Sequence, residues 1–236
     1  VMAVAFMANT QHLYYREDVL KELGIPVPKT YEEVVAASEK IRASGKMQHP
    51  YAAAYKAGWN LAEEFVNMFI GHGGEFFKAG TAEPNINNAK GVATLNMLKK
   101  LASLSNPDYL THDSEAIKVE WESGKVALMT LWASRSGTLL DDEGDAKITA
   151  ATKLTGPATV GGGNIPAATL WWDGFTLAKN RSDSDAEATF IALAHAASNK
   201  KMVADAADQA VWLVEGFVPG PKSIGVIEAV KMGAKP

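Results

Sequence analysis

The sequence predicts a fold that combines helices and strands, either α/β or α+β, and not an all-α fold. Short apolar stretches of strand length alternate with amphipathic stretches of helix length, and this alternation is typical of α/β proteins. Helix-capping residues, such as Thr30 with Glu33 three positions later, precede the amphipathic stretches, and glycines such as Gly24 and Gly45 close them. No apolar run reaches the roughly 20 residues of a membrane-spanning helix.

The composition narrows the classes of function. The chain has 236 residues, which suits one large or two small domains, and its 47% hydrophobic and 21% charged residues are usual for a soluble globular protein. A net charge of −4, with 23 basic and 27 acidic residues, argues against a nucleic-acid partner. The absence of cysteine excludes disulfides, thiolate nucleophiles and cysteine-ligated metal sites.

The opening stretch places polar residues between two apolar segments. A strand at 1–5 is followed by Asn9, Thr10, Gln11 and His12, and a second short strand is predicted at 13–15. The residues alone leave two interpretations open. The polar set is either a turn between two strands or a group of side chains directed at a ligand.

The remaining elements follow from periodicity and capping signals. Further strands are predicted at 51–55, 125–132, 148–151 and within 170–178. Helices are predicted at 16–23, from Thr30 to Gly45, at 61–71, from Asp113 or Ser114 to Gly124, at 134–140 and at 202–210. Another helix is predicted to start at Asn87 or Asn88, and its Val92, Leu95, Leu98 and Leu101 form an inward stripe. A second capping box, Ser184 with Glu187, predicts one more helix. Trp121 and Trp212 are expected in the core.

Catalytic and metal-binding patterns find little support. The five histidines lack the paired spacing of a zinc site, and His72 near Glu75 is more simply a loop histidine at a helix end. The glycines at 161–163 lack the lysine of a phosphate loop, and the acidic turn at 141–145 lacks the ligand spacing of a calcium hand. We therefore expect no catalytic residue, no metal and no cofactor. A carboxylate pair for glycoside hydrolysis remains an alternative.

Aromatic and polar residues recur where strands meet loops or helices. They form three groups: Trp59 with Asn60, Trp132 through Arg135, and Trp171 and Trp172 with Asp173. Sugar sites combine flat aromatic faces, which cover the C–H side of a ring, with polar groups that pair with its hydroxyls. For each of these tryptophans, core packing is an equally open interpretation.

Five motifs in a fixed order then resemble those of a known family. They are Leu-Tyr-Tyr-Arg-Glu-Asp at 13–18 with the Gly-Ile-Pro-Val-Pro-Lys-Thr-Tyr-Glu-Glu series at 24–33, the Gly-His-Gly-Gly segment at 69–77, Trp-Glu-Ser-Gly-Lys-Val-Ala-Leu-Met at 121–129, Asp-Gly-Phe-Thr-Leu-Ala-Lys at 173–179, and Gly-Phe-Val-Pro at 216–219. Together they resemble the extracellular solute-binding proteins of carbohydrate ABC transporters, the maltose-binding-protein-like family.

The resemblance implies an α/β fold of the periplasmic-binding-protein-like type II, with a mixed sheet flanked by helices. Residues 1–165 would form the second, C-terminal lobe, and 166–236 would be the returning segment of the first lobe with its crossover. The opening strand–helix–strand series of the family's first lobe has no counterpart here, so the chain is expected to be a fragment with an incomplete first lobe. Exposed sheet edges are then a candidate surface for association with another chain.

The resemblance also assigns ligand-binding residues. Asn9, Gln11 and His12 would lie where the chain enters the second lobe beside the cleft. Tyr55, Trp59 and Asn60 would occupy a ligand loop, Trp132 and Arg135 the loop where the family commonly has Gly-Pro-Trp, and Trp172 and Asp173 the returning strand. Here Ala-Ser-Arg replaces Gly-Pro-Trp, which leaves the identity of the ligand open.

The implied function is that of a receptor without catalytic activity. Such a protein binds a sugar, here an oligosaccharide or glycoside, between two lobes and delivers it to the membrane permease of an ABC importer. Its location would be periplasmic or extracellular, with a lipid anchor in the full protein. The alternatives are a carbohydrate-active enzyme and an interaction fragment whose tryptophans are all core residues.

Overall fold

A computed structural model describes residues 4–140 and 144–196 of the chain. The strands are β1 (Val4–Asn9), β2 (Gln11–Arg16), β3 (Tyr51–Ala52), β4 (Leu128–Trp132), β5 (Thr152–Thr155) and β6 (Trp171–Phe175). The helices are α1 (Glu17–Glu22), α2 (Tyr31–Ala43), α3 (Trp59–Gly71), α4 (Ala89–Ala102), α5 (Ser114–Glu122), α6 (Ser136–Leu139), α7 (Ala146–Ala151) and α8 (Asp183–Ala196), with 3-10 turns at Tyr109–Thr111 and Ala133–Arg135. Among these residues, no helix is long and apolar enough to cross a membrane.

The described residues form two compact units. The larger, which we call the mixed-sheet unit, comprises 11–131, 139–140 and 144–169. The smaller, the paired-strand unit, comprises 4–10, 132–138 and 170–196. The assignment of 1–165 and 166–236 to two lobes of a larger protein stays a prediction.

The mixed-sheet unit is built around four strands in the order β3-β4-β2-β5. β3 and β4 are parallel, with Tyr51 opposite Leu128, whereas β2 and β5 are antiparallel, with Leu13 opposite Thr155. The expectation of a mixed sheet flanked by helices is therefore confirmed.

The core of the mixed-sheet unit lies between this sheet and its helices. The capping box predicted at Thr30 and Glu33 is present and starts α2, which buries Val34 and Ile41 completely. Trp121 of α5 is also fully buried, as expected, and its indole nitrogen donates to the Thr152 hydroxyl over 3.0 Å. A buried indole N–H needs such a partner, so this bond fixes α5 against the sheet.

The paired-strand unit contains the antiparallel pair β1 and β6. Val4 lies opposite Phe175 and Asn9 opposite Trp171, with one irregularity in register between Ala5 and Met7. The C-terminal predictions, namely the helix at 202–210, Trp212 as a core residue and the motif at 216–219, lie outside the described residues, as does most of the acidic turn at 141–145.

The two strands extend into the polar set at Asn9 to His12, for which a turn was one of two open interpretations. Asn9 ends β1, Gln11 and His12 begin β2, and only Thr10 lies outside a strand. The strand predicted at 51–55 is shorter, since only 51–52 pair with β4, although Tyr55 is buried.

The strand predicted at 148–151 is wrong, because these residues belong to helix α7. The Asp145 side chain accepts hydrogen bonds from the backbone N–H groups of Lys147 and Ile148, over 2.8 and 3.1 Å. This capping starts a helix in a β-branched stretch that alone favours a strand. Strand β5 begins directly after α7, at Thr152, four residues later than the predicted strand.

Two details of the helix predictions also need correction. The N-terminus of α8 is capped by Ser182, whose hydroxyl accepts from the Asp185 backbone N–H over 3.2 Å, and not by Ser184. On α4, Val92 and Leu95 are 57% and 54% exposed. The buried residues of α4 are instead Gly91, Thr94, Met97, Leu98 and Leu101.

Candidate functional site

The ten residues predicted to bind ligand are divided between the two units. Asn9, Trp132, Arg135, Trp172 and Asp173 lie in the paired-strand unit, and Gln11, His12, Tyr55, Trp59 and Asn60 lie in the mixed-sheet unit. Whether these residues contact a ligand stays a prediction.

In the paired-strand unit, Asn9 holds the turn that carries Arg135. The Asn9 side-chain nitrogen donates to the Ser134 hydroxyl over 2.9 Å, and its oxygen accepts from the Ser134 backbone N–H over 3.2 Å. The Ala133 N–H donates to the Thr10 carbonyl over 3.0 Å. Asn9 is buried, so the structure gives its amide a positioning role for the 133–135 turn.

Two tryptophans and an aspartate lie next to this turn. The rings of Trp132 and Trp171 meet edge to face, with centroids 6.1 Å apart. Trp171 is 38% exposed, and its indole nitrogen donates to the Asp173 carboxylate over 3.2 Å. The sequence places Trp171 in the third aromatic group, but Trp171 was not among the ten residues assigned through the resemblance, although the alternation of a strand puts it on the same face as Asp173. Trp172 pairs through its backbone with Ala8, and its side chain lies outside the description.

In the mixed-sheet unit, Gln11 is part of a buried polar network with α3. Its side-chain nitrogen donates to Glu64 Oε1 over 2.7 Å, and its oxygen accepts from Asn67 Nδ2 over 3.0 Å. Asn67 Oδ1 in turn accepts from the backbone N–H of Thr169 over 2.8 Å, and the Thr169 hydroxyl donates to Glu63 Oε1 over 2.6 Å. Both ends of the Gln11 amide are therefore engaged within the protein.

The partners of Gln11 are residues that the sequence analysis did not single out. Glu63, Glu64 and Asn67 are buried on α3. A usable signal was present, since a helix whose apolar residues include Phe65 and Phe69 also carries two consecutive glutamates followed by an asparagine at helical spacing.

Burial sets the charge state of Glu64. The side chain is 3% exposed, and burial raises the pKa of its carboxyl to about 8, with Glu63 raising it further and the hydrogen bond from Gln11 opposing the shift. Glu64 is therefore uncharged over most of the neutral range. Burial is also the main cause that raises the pKa of Tyr31, Tyr51 and Tyr55, to which Glu64 adds.

The other predicted residues of this unit differ in accessibility. Tyr55 is a core side chain, with its ring edge-on to Tyr109 at 5.9 Å, and His12 is buried in β2. Trp59 begins α3 and is 53% exposed, and Asn60 beside it is half-buried. Trp59 therefore presents an aromatic surface to solvent at the N-terminus of the helix that carries the polar network.

Metal binding finds no support in the described part of the chain, where no group of three histidine, cysteine, aspartate or glutamate residues could hold an ion. Burial lowers the pKa of His72, and nearby Glu32 opposes this. His72 contacts Gly161, where a side chain would come within 2.6 Å of its ring nitrogen. These contacts describe a packed histidine at the end of α3.

Comparison with known proteins identifies relatives of the chain. The model of the family described as bacterial extracellular solute-binding protein matches residues 2–210. A probable ABC transporter-binding protein of Deinococcus radiodurans is 28% identical over 188 residues, which are 76% of this chain and 43% of that protein. A multiple sugar-binding protein of Streptococcus mutans is 41% identical over 61 residues, 26% of this chain and 14% of that protein.

A solved structure shows the same fold. The maltose-bound MalE3 of T. maritima superposes with a TM-score of 0.83 at 21% identity, covering 98% of this chain and 57% of that one. The chain thus spans about half the length of the Deinococcus protein and of MalE3, 43% and 57% respectively. The expected periplasmic-binding-protein-like α/β fold of type II is confirmed. Because the family model covers most of its residues, the chain belongs to the family of bacterial extracellular solute-binding proteins.

Proposed function

We propose that this chain is part of the substrate-binding component of an ABC importer, and that its ligand is a sugar, either an oligosaccharide or a glycoside. The observation that carries the proposal is the family match over residues 2–210. Because the chain spans only 43% and 57% of two of its relatives, the activity is proposed for the whole protein to which these residues correspond.

Accessible aromatic and polar side chains support a sugar as the ligand. Trp59 exposes half of its surface beside Asn60, and Trp171 is partly exposed next to Asp173. Such pairs suit a pyranose ring, whose C–H face packs on an aromatic ring while its hydroxyls bind amides and carboxylates. One relative is named a multiple sugar-binding protein, and the matching structure contains maltose.

The proposed mechanism is binding without chemical change. Closure of two lobes on the ligand excludes water and strengthens the polar contacts. The closed form would then bind the membrane permease, so the protein would act in the periplasm or outside the cell, held by a lipid anchor in the full protein. The described residues give no support to association through exposed edges.

A thermal-shift panel tests the proposal. Monosaccharides, maltose, longer oligosaccharides, glycosides and, as an alternative class, amino acids are added to the full-length protein. Ligand at about 100 times its Kd stabilises the folded state by about 2.7 kcal/mol, which raises Tm by several degrees. A shift with amino acids but with no sugar would contradict the sugar proposal, and release of a hydrolysed product would favour the enzyme alternative.

A pair of aromatic substitutions sharpens the test. Trp59→Ala removes a predicted stacking surface and should weaken sugar affinity by about ten-fold or more. Phe77→Ala is the matched control, because Phe77 is also half exposed but lies outside the predicted site. Equal affinities of the two variants, measured by titration calorimetry, would remove Trp59 from the site.

A further inference from the structure

The chain passes between the two units at 10/11, 131/132, 138/139 and 169/170. At the first of these positions a single residue outside regular structure, Thr10, separates β1 from β2. At the last, Leu170 ends the irregular stretch at 160–170 and directly precedes β6. Residues outside regular structure are where a backbone can change direction at low cost. The adjoining residues on the mixed-sheet side are Gln11 and Thr169.

Helix α3 holds both adjoining residues through one side chain. The Asn67 amide nitrogen donates to the Gln11 side chain over 3.0 Å, while its oxygen accepts from the Thr169 backbone over 2.8 Å. Two segments distant in sequence are thus joined through Asn67. Each also has a second bond to the same helix, from Gln11 to Glu64 over 2.7 Å and from the Thr169 hydroxyl to Glu63 over 2.6 Å.

The burial of this network makes its members depend on one another. Gln11, Glu63, Glu64 and Asn67 are all buried, and a buried amide or carboxyl that loses its partner cannot turn to water instead. Release of one segment would leave polar atoms of Asn67 unsatisfied and weaken the hold on the other. Thr130 lies beside another position where the chain passes between the units, 131/132. Its buried hydroxyl lies 2.9 Å from that of Tyr51, and loss of that contact would weaken its hydrogen bonding in the same way.

We propose that Glu63, Glu64 and Asn67 are positioning residues, a clamp on α3 that holds Gln11 and Thr169 together and confines backbone bending to Thr10 and Leu170. Because α3 begins at Trp59, the helix that presents the exposed indole also carries the clamp. The coupling of the two segments is a property of the fold. Its role in ligand-induced closure rests on the proposed function.

Amide hydrogen exchange followed by NMR tests the coupling without any ligand. Gln11→Met keeps the side-chain length but removes both polar atoms that bind α3. The clamp predicts that protection of the Thr169 amide falls by about ten-fold, the size expected when a buried hydrogen bond is weakened. The Ala167 amide is the internal control, since it donates to the Ala158 carbonyl over 2.9 Å in the same segment but outside the network. An equal fall at both amides, or no fall at Thr169, would overturn the clamp.

A second substitution approaches the network from its other end and is milder, because Thr169 is only half-buried. Thr169→Val removes the hydroxyl bound to Glu63 but keeps the backbone N–H. The clamp predicts faster exchange of the Gln11 side-chain amide protons in this variant. Thr169→Ser retains the hydroxyl and should match the wild type. Unchanged exchange at Gln11 in Thr169→Val would show that the segments are independent, which also overturns the proposal.

The role in closure has a separate readout. For a sugar that raises Tm, the affinity of the full-length protein should fall several-fold in Thr169→Val and stay at the wild-type level in Thr169→Ser. Equal affinities would overturn the role in closure while the exchange result still decides the coupling. Failure of every sugar to bind would contradict the proposed function and not the clamp.

Discussion

At the scale of the residue, Glu64 is the side chain with the clearest thermodynamic consequence. Its carboxyl has an ordinary pKa of 4.5, which burial raises to about 8 in the folded protein. Between these values the folded state holds a proton that the unfolded state has released. The contribution of Glu64 to the free energy of unfolding is therefore most favourable below about pH 4.5. It is lost as the pH rises from there through about 8.

The first prediction follows from this linkage. Between pH 5 and 8, Glu64 should lower the free energy of unfolding by up to about 1.4 kcal/mol per pH unit, measured by urea denaturation at fixed ionic strength. Glu64→Gln, which resembles the protonated form, should flatten that dependence. Glu39→Gln, on the exposed face of α2, should leave it unchanged. If both variants keep the wild-type slope, Glu64 is not protonated in the folded protein.

Gln11 shows what the sequence could and could not reveal about a single residue. Its position between two apolar stretches left a turn and a ligand site open, and the structure places it in a buried network. The partners come from α3 and from Thr169, contacts that no local pattern reveals. Trp59, in contrast, was singled out from local sequence, and its exposure follows from its position at the helix start.

At the scale of the element, α4 shows the limit of periodicity. The sequence predicts one stripe on this helix, and two of its four residues, Val92 and Leu95, are exposed. Gly91 accounts for the difference, because a Cβ at this position would lie 2.1 Å from the Ile86 carbonyl oxygen. The helix packs closely against the preceding loop on the side of Gly91, which buries Leu98 and Leu101 and turns Val92 and Leu95 outward.

The second prediction uses two leucines of the same helix. Leu101→Ala should lower the free energy of unfolding by about 2–5 kcal/mol, because it leaves a cavity at a fully buried position. Leu95→Ala should change it by less than about 0.5 kcal/mol, since that side chain is exposed and alanine favours the helix. Urea denaturation of both variants gives the comparison. Similar losses would indicate that Leu95 is covered in solution.

Helix α7 and strand β5 illustrate a different limit. The stretch at 148–151 is apolar and β-branched enough to suggest a strand, but capping by Asp145 starts a helix there. The predictions that held, such as the capping box of α2 and the cap of α5 at Asp113, are those in which the capping residue precedes a stretch with helical periodicity, so that the two signals agree. Competing signals within a few residues of each other are decided by packing.

At the scale of the whole molecule, the order of motifs was more informative than any single one. It led to the family and the fold, both of which the comparisons show. The arrangement of strands within the sheet was less accessible, since the order β3-β4-β2-β5 joins strands far apart in the chain. Long-range pairing depends on the packing of the entire unit.

The two units should differ in local stability, which is the third prediction. Among the described residues, the paired-strand unit has a sheet of two strands, and α8 contributes no buried residue to it. A sheet of two strands is marginal in water, whereas β2 and β5 belong to a sheet of four strands with a helix-covered core. For this chain, hydrogen exchange by mass spectrometry should give peptides spanning 4–9 and 171–175 at least about 100-fold lower protection than peptides spanning 11–16 and 152–155. Equal protection in all four peptides would mean that the two units open together, because cooperative unfolding gives every amide the same limiting free energy.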